Sequence, residues 1–111
     1  NLLTADGLWV MAEALRANEH VDTLRMNDNR LLDSGGRALA SILKYNTGLK
    51  EVNVASNGIG PKGVVPIFKV LARRKIAFEI WLLGNPFQND EESKEYLEKL
   101  EKKNRIVTVQ C

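Results

Sequence analysis

At 111 residues, 44% hydrophobic and 27% charged, the chain has the size and composition of one folded domain rather than a disordered segment. A net charge of +2 is too small to point to nucleic acid or an anionic membrane, and no apolar run is long enough to span a bilayer. The lone cysteine, Cys111, excludes an internal disulfide and a cysteine-based zinc site; it suits a reducing compartment, and with no basic-then-apolar leader visible a cytoplasmic location is expected.

The first predicted element is a helix from about Thr4 to Ala17, with Asn18 at its end, where Asn tolerates the conformation that stops a helix. Asn1 begins in mid-unit with no strand before it, so the chain reads as a piece of a larger repeat protein or as one that has lost an upstream strand. Leu2, Leu3 and Leu8 would then leave an apolar edge open to further repeats or to self-association.

The next segment sets a pattern. Leu24 and Met26 alternate as in a strand, Asn29 follows, and Leu31 comes two residues later. Asp33 or Ser34 can cap a helix that carries Ala38, Leu39, Ile42 and Leu43 on one face, and Asn46 lies near its end. The pattern returns after 28 residues as Val52, Val54, Asn57, Ile59, Ile67 and Leu71, and after 28 more as Ile80, Leu82, Asn85 and Phe87. Gly7, Gly35 and Gly63 share one column, where a small residue lets neighbouring elements approach closely. A fixed period of this length marks stacked repeats, each a strand, a turn and a helix.

The later units depart from the pattern. Pro61 suits a first helical position, but Pro66 would then sit inside the helix, so a late start or a kink is expected. Arg74 replaces the Asn of the helix-end column, and Arg73-Arg74-Lys75 reads as a solvated basic helix end. A more polar helix follows from Asp90 to Lys103, with the Asn89/Glu92 spacing of a capping box and Glu95/Lys99 and Glu98/Lys102 as favourable pairs. Val107 and Val109 follow Ile80 and Leu82 at 27, a slip of one residue. The whole is a single domain over residues 1–111: a partial unit 1–20, units 21–48, 49–76 and 77–103, and a terminal strand 104–111.

These columns resemble the leucine-rich repeat family, in its ribonuclease-inhibitor-like branch, and the few units ending in a charged helix are most similar to the tropomodulin type. Leu24, Met26, Asn29, Leu31, Gly35, Leu39, Leu43 and Asn46 carry the branch pattern in full. The resemblance implies an α/β fold: a right-handed leucine-rich-repeat solenoid with a parallel sheet on the concave side and helices on the convex side. Parallel strand–helix–strand units impose the same hand.

Strand residues between the buried aliphatics point to the open, concave face. In register, Arg25, Asn53, Trp81 and Thr108 form one column, Thr23, Glu51, Glu79 and Ile106 a second, and Asn27, Ala55, Leu83 and Gln110 a third. An exposed Trp81 among polar neighbours is how binding surfaces anchor a partner, so Arg25, Glu51, Asn53, Glu79, Trp81 and Thr108 are the candidate partner-binding residues. The Glu51/Glu79 pair has no nucleophile, histidine or metal cluster beside it, so neither enzymatic activity, a metal nor a cofactor is expected. The Asn column, Asn1, Asn29, Asn57 and Asn85, is scaffold that satisfies backbone groups in successive turns. Trp9 lies on an outer helix face, and His20 stands alone in a loop.

The expected function is a protein–protein interaction module that binds through the concave face around Trp81. The tropomodulin resemblance implies an alternative, capping of actin filament ends. GTPase activation, for which no catalytic loop residue aligns, and a purely structural repeat block are further alternatives.

Overall fold

The computed structural model describes residues 2–111, so the Asn1 member of the Asn column lies outside the described residues. Four helices alternate with four strands: α1 (Ala5–Ala17), β1 (Thr23–Arg25), α2 (Leu32–Tyr45), β2 (Glu51–Asn53), α3 (Pro61–Leu71), β3 (Phe78–Trp81), α4 (Glu91–Lys103) and β4 (Val107–Gln110). The strands form one parallel sheet in the order β1-β2-β3-β4. Period-2 alternation turns Met26, Val52, Val54, Ile80, Leu82 and Val107 into one buried face, which packs on Leu39, Leu43, Ile67 and Leu71 of the helices. Each such fully buried aliphatic side chain stabilises by about 2 kcal/mol. The helices thus cover one face of the sheet and leave the other open.

The turns after the strands share a backbone device that the residue pattern does not announce. Asp28, Ser56 and Gly84, each immediately before a column Asn, have φ of 60°, 54° and 76°. Only glycine adopts this left-handed region without steric cost, so the first two turns hold a mildly strained residue where the chain leaves the sheet.

Registers β1–β2 and β2–β3 keep the 28-residue period, with Arg25 opposite Asn53 and Asn53 opposite Trp81. The last register does not follow the expected slip to 27. Phe78 pairs with Val107, Glu79 with Thr108, Ile80 with Val109 and Trp81 with Gln110, a spacing of 29. The cause is an inserted 3₁₀ turn, Pro86–Asn89, ahead of α4. Asn57 leads to the start of α3 at Pro61, whereas Asn85 leads through that turn to the later start of α4 at Glu91.

Local expectations are decided at four places. Of the two alternatives for Pro66 the late start is excluded, because helix α3 runs from Pro61 through Pro66 to Leu71. The Lys62 carbonyl that Pro66 cannot serve belongs to an exposed residue, where water can take its place. Asp33 does not cap its own helix; its carboxylate accepts the Gly60 N–H of the next unit at 2.7 Å. The cap of α4 is Asp90, which accepts the Ser93 N–H at 2.9 Å and its hydroxyl at 2.8 Å, while Asn89 ends the 3₁₀ turn. Ion pairs among the described residues are Arg16–Glu13 and Lys94–Glu91, not the two expected on α4.

A close approach of α2 and α3 backbones joins one member of the glycine column, Gly63, to Gly36, the neighbour of another. A Cβ on Gly36 would sit 2.7 Å from the Gly63 carbonyl oxygen, whereas one on Gly35 would meet the Leu31 side chain. Two backbones that touch cannot yield as a side chain does, so Gly36→Ala must push α2 and α3 apart. Overpacking of this kind costs about 2 kcal/mol and outweighs the roughly 1 kcal/mol that alanine gains in helix propensity. A net loss of about 1 kcal/mol or more in urea-unfolding experiments is the expected result.

The open sheet face and its flanking ladders

Two side-chain ladders fix the strands, one where they end and one where they begin. At the ends, the Asn85 Oδ1 accepts the N–H groups of Asn57 (2.9 Å) and Ile59 (3.0 Å). Its amide donates to the carbonyls of Val54 (3.0 Å) and Leu82 (2.9 Å). Asn57 repeats the arrangement one unit earlier, accepting the Leu31 N–H at 3.3 Å and donating to the Met26 carbonyl at 2.8 Å. Asn29 accepts the Leu3 N–H at 2.9 Å and donates to the Met26 carbonyl at 3.0 Å. Each amide therefore joins its own turn to the turn of the neighbouring unit, and Asn57 and Asn85 are buried while doing so.

The ladder at the strand starts is built from Asn18, Asn46, Arg74 and Asn104. Asn46 donates to the carbonyls of Leu15 and Asn18 and accepts the N–H groups of Gly48 and Leu49. Asn104 donates to the Leu71 and Arg74 carbonyls, both at 2.8 Å. Between them Arg74 reaches the carbonyls of Leu43 (2.9 Å), Asn46 (3.0 Å) and Leu49 (2.5 Å). It is 9% exposed, and its guanidinium lies 4.8 Å from the centre of the Phe78 ring. Desolvation pushes its pKa below the usual value, and its Nε has no partner among the described residues. The reading of Arg74 as part of a solvated basic end is thus overturned, while Arg73 and Lys75 on either side are exposed. Asn104 escapes sequence reasoning because the extra residues of the last unit move it out of the 28-residue column.

On the open face the structure brings Arg25, Asn53 and Trp81 into one row. Thr108 is not their neighbour. It pairs with Glu79 and continues the row Thr23, Glu51 and Glu79, while Gln110 takes the place beside Trp81 and Ile106 precedes β4. Trp81 is half-buried rather than fully exposed, flanked in register by Asn53 and Gln110. Gln110 donates across the face to the Glu79 carboxylate at 2.9 Å. Asn53, also half-buried, uses its Oδ1 for the Ala55 N–H at 3.0 Å. Arg25 is exposed, and beyond β3 Leu83 is 56% exposed. Glu51 and Glu79 face each other across neighbouring strands at a spacing of about 5 Å. Among the described residues no group of three or more His, Cys, Asp or Glu is placed to hold a metal ion, and no helix is long and apolar enough to cross a membrane.

Away from the sheet, the Trp9 indole N–H donates to the Ser34 hydroxyl at 3.1 Å, which ties α1 to the start of α2. His20 is exposed, and its backbone N–H is held by the Asn18 side chain at 2.7 Å.

Residues 17–40 and 45–68 match the family described as Leucine Rich repeat. The chain is similar to human leiomodin-2, at 35% identity over 78 residues, which is 70% of this chain and 14% of that protein. It is also similar to the human NACHT, LRR and PYD domains-containing protein 13, at 30% identity over 78% of this chain and 8% of that protein. Among solved structures it superposes on one titled Leiomodin-1 Actin-Binding Site 2 with a TM-score of 0.82 and 23% identity, covering 98% of this chain and 65% of the other; this likeness speaks for the fold. The chain thus spans a small part of the length of leiomodin-2 and of the NACHT, LRR and PYD domains-containing protein 13. With the Asn columns, the parallel sheet and the helix-covered face, these matches place the chain among the leucine-rich repeat proteins, with repeats similar to those of the tropomodulins and leiomodins.

Proposed function

We propose that the chain is a protein-binding block, without catalytic activity of its own, that takes its partner on the open sheet face around Trp81. The observation that carries this reading is a half-buried tryptophan at the centre of an otherwise polar face, with Asn53 and Gln110 beside it in register. Tryptophans in such settings supply much of the binding energy of an interface, because a partner can finish burying a ring that the protein already holds in place. Arg25 in the same row and Glu51, Glu79 and Thr108 in the adjacent row supply charge and hydrogen-bonding groups of the kind that fix orientation.

A second reading names the partner as actin, in a cytoskeletal setting. It is supported by the likeness to the structure titled as an actin-binding site of leiomodin-1 and by the 35% identity to leiomodin-2. Co-sedimentation with actin filaments and binding to labelled actin monomers test both readings together. Trp81→Ala is expected to weaken binding by roughly thirtyfold, the equivalent of about 2 kcal/mol at an interface anchor, with an unchanged melting curve. Full binding by a Trp81→Ala, Glu51→Ala double variant would move the site off this face. Absence of any binding to actin by the unaltered chain would remove actin and leave the face to another protein.

A further inference from the structure

The opposite side of the molecule holds a groove that none of this uses. It has a volume of about 700 Å³ and lies between the C-terminal parts of α3 and α4, with the end of α2 also lining it. Its apolar lining includes Leu43, Phe68, Tyr96 and Leu100. Of these Phe68 and Leu100 are buried, and Tyr96 is half-buried. The groove exists because Tyr96, Lys99, Leu100 and Lys103 follow one another at helical spacing on the inner side of α4.

Its rim is cationic. Lys44, Lys69, Arg73, Lys75, Lys99 and Lys103 line it, all of them exposed, and no Asp or Glu does. With the buried Arg74 they make seven of the 16 Lys and Arg of a chain whose net charge is only +2. None of the six is in an ion pair among the described residues. Lys69 and Lys99 lie 5.5 and 5.7 Å from the centre of the Tyr96 ring, so two like charges are gathered at one aromatic side chain. Positive charge at helix C-termini is favoured in its own right, which accounts for Lys44 and Lys103 in the last turns of α2 and α4. The same holds for Lys69 in the last turn of α3, but not for Lys75 beyond α3 or for Lys99 in the body of α4.

We propose that this groove docks an acidic amphipathic segment of a partner protein, apolar side chains against Tyr96 and its neighbours and carboxylates against the lysine rim. The apolar floor selects a peptide over a nucleic acid, whose phosphates would leave it uncovered, and the all-cationic rim sets the sign of the partner. The site is independent of the open face, so each can fail alone.

The test uses the full chain and a labelled synthetic helical peptide with leucines along one face and glutamates along the other. The expected result is saturable binding that weakens with added salt, falls at least about tenfold in Lys69→Glu with Lys99→Glu, and is untouched by Trp81→Ala. Lys44→Glu with Lys103→Glu, on the other rim, reads the same site should the first pair unfold the chain. The proposal is overturned if charge reversal leaves peptide affinity unchanged, if the peptide with glutamine in place of glutamate binds equally well, or if duplex DNA binds as tightly as the peptide.

Discussion

Asn85→Ala is expected to remove about 4 kcal/mol of folding stability. The buried amide accepts from the Asn57 and Ile59 N–H groups and donates to the Val54 and Leu82 carbonyls. Alanine leaves all of these backbone groups without the partner that replaced water. An orphaned buried polar group costs about 1–3 kcal/mol, and partial relaxation at this turn keeps the sum below the simple total. Domains of this size are stable by about 5–15 kcal/mol, so the variant should unfold at a markedly lower urea concentration, with its midpoint shifted and its slope unchanged. Asn85→Asp is the informative partner variant. It keeps the acceptor for the two N–H groups but points a carboxylate at the two carbonyls, and it should be at least as damaging. A small effect of both variants would mean that water replaces the amide freely.

The second large effect concerns Arg74. Arg74→Leu leaves an apolar side chain at the position but strips donors from the carbonyls of Leu43, Asn46 and Leu49, and a loss of about 3 kcal/mol is expected. Arg74→Asn should behave differently, because Asn46 and Asn104 serve the equivalents of the Leu43 and Asn46 carbonyls with an amide, which leaves the Leu49 carbonyl alone without its donor. Asparagine would also remove a buried cation that no carboxylate balances and whose Nε is unpartnered. Breaking a buried charge's contacts is costly, but exchanging it for a neutral group that restores two of the three is far less so. Arg74→Asn is thus expected within about 1 kcal/mol of the parent in the same unfolding experiment. Equal losses for the two variants would show that the arginine's packing against Phe78, rather than its hydrogen bonds, is what stabilises this position.

The contrast explains which parts of the molecule are legible from residues alone. The fold is, because Leu24, Met26, Val52, Val54, Ile80 and Leu82 obey a period of 2 within a period of 28, and few architectures bury both. The row Arg25, Asn53, Trp81 is legible for the same reason. The fourth strand is not, since the inserted 3₁₀ turn at Pro86–Asn89 lengthens the unit without disturbing any hydrophobic column, and so Gln110 rather than Thr108 stands beside Trp81. Arg74 misleads because arginine is ordinarily exposed, and only its place in a column of asparagines hints otherwise. The basic groove is invisible to any reading along the chain, because it gathers side chains from the ends of α2, α3 and α4, which packing alone brings together.

The paired ladders bear on recognition as well as on folding. One holds the strands where they begin and the other where they end, so the short segments between are clamped at both ends. Arg25, Asn53 and Trp81 are consequently presented at the spacing of the sheet before any partner arrives. A surface held this way gives up little backbone freedom on association, and less of the contact energy is offset by ordering. The same clamps carry the frame, so Arg25 and Trp81 can be exchanged for a different partner while Asn53, whose side chain holds the Ala55 N–H, stays with the frame that aims them.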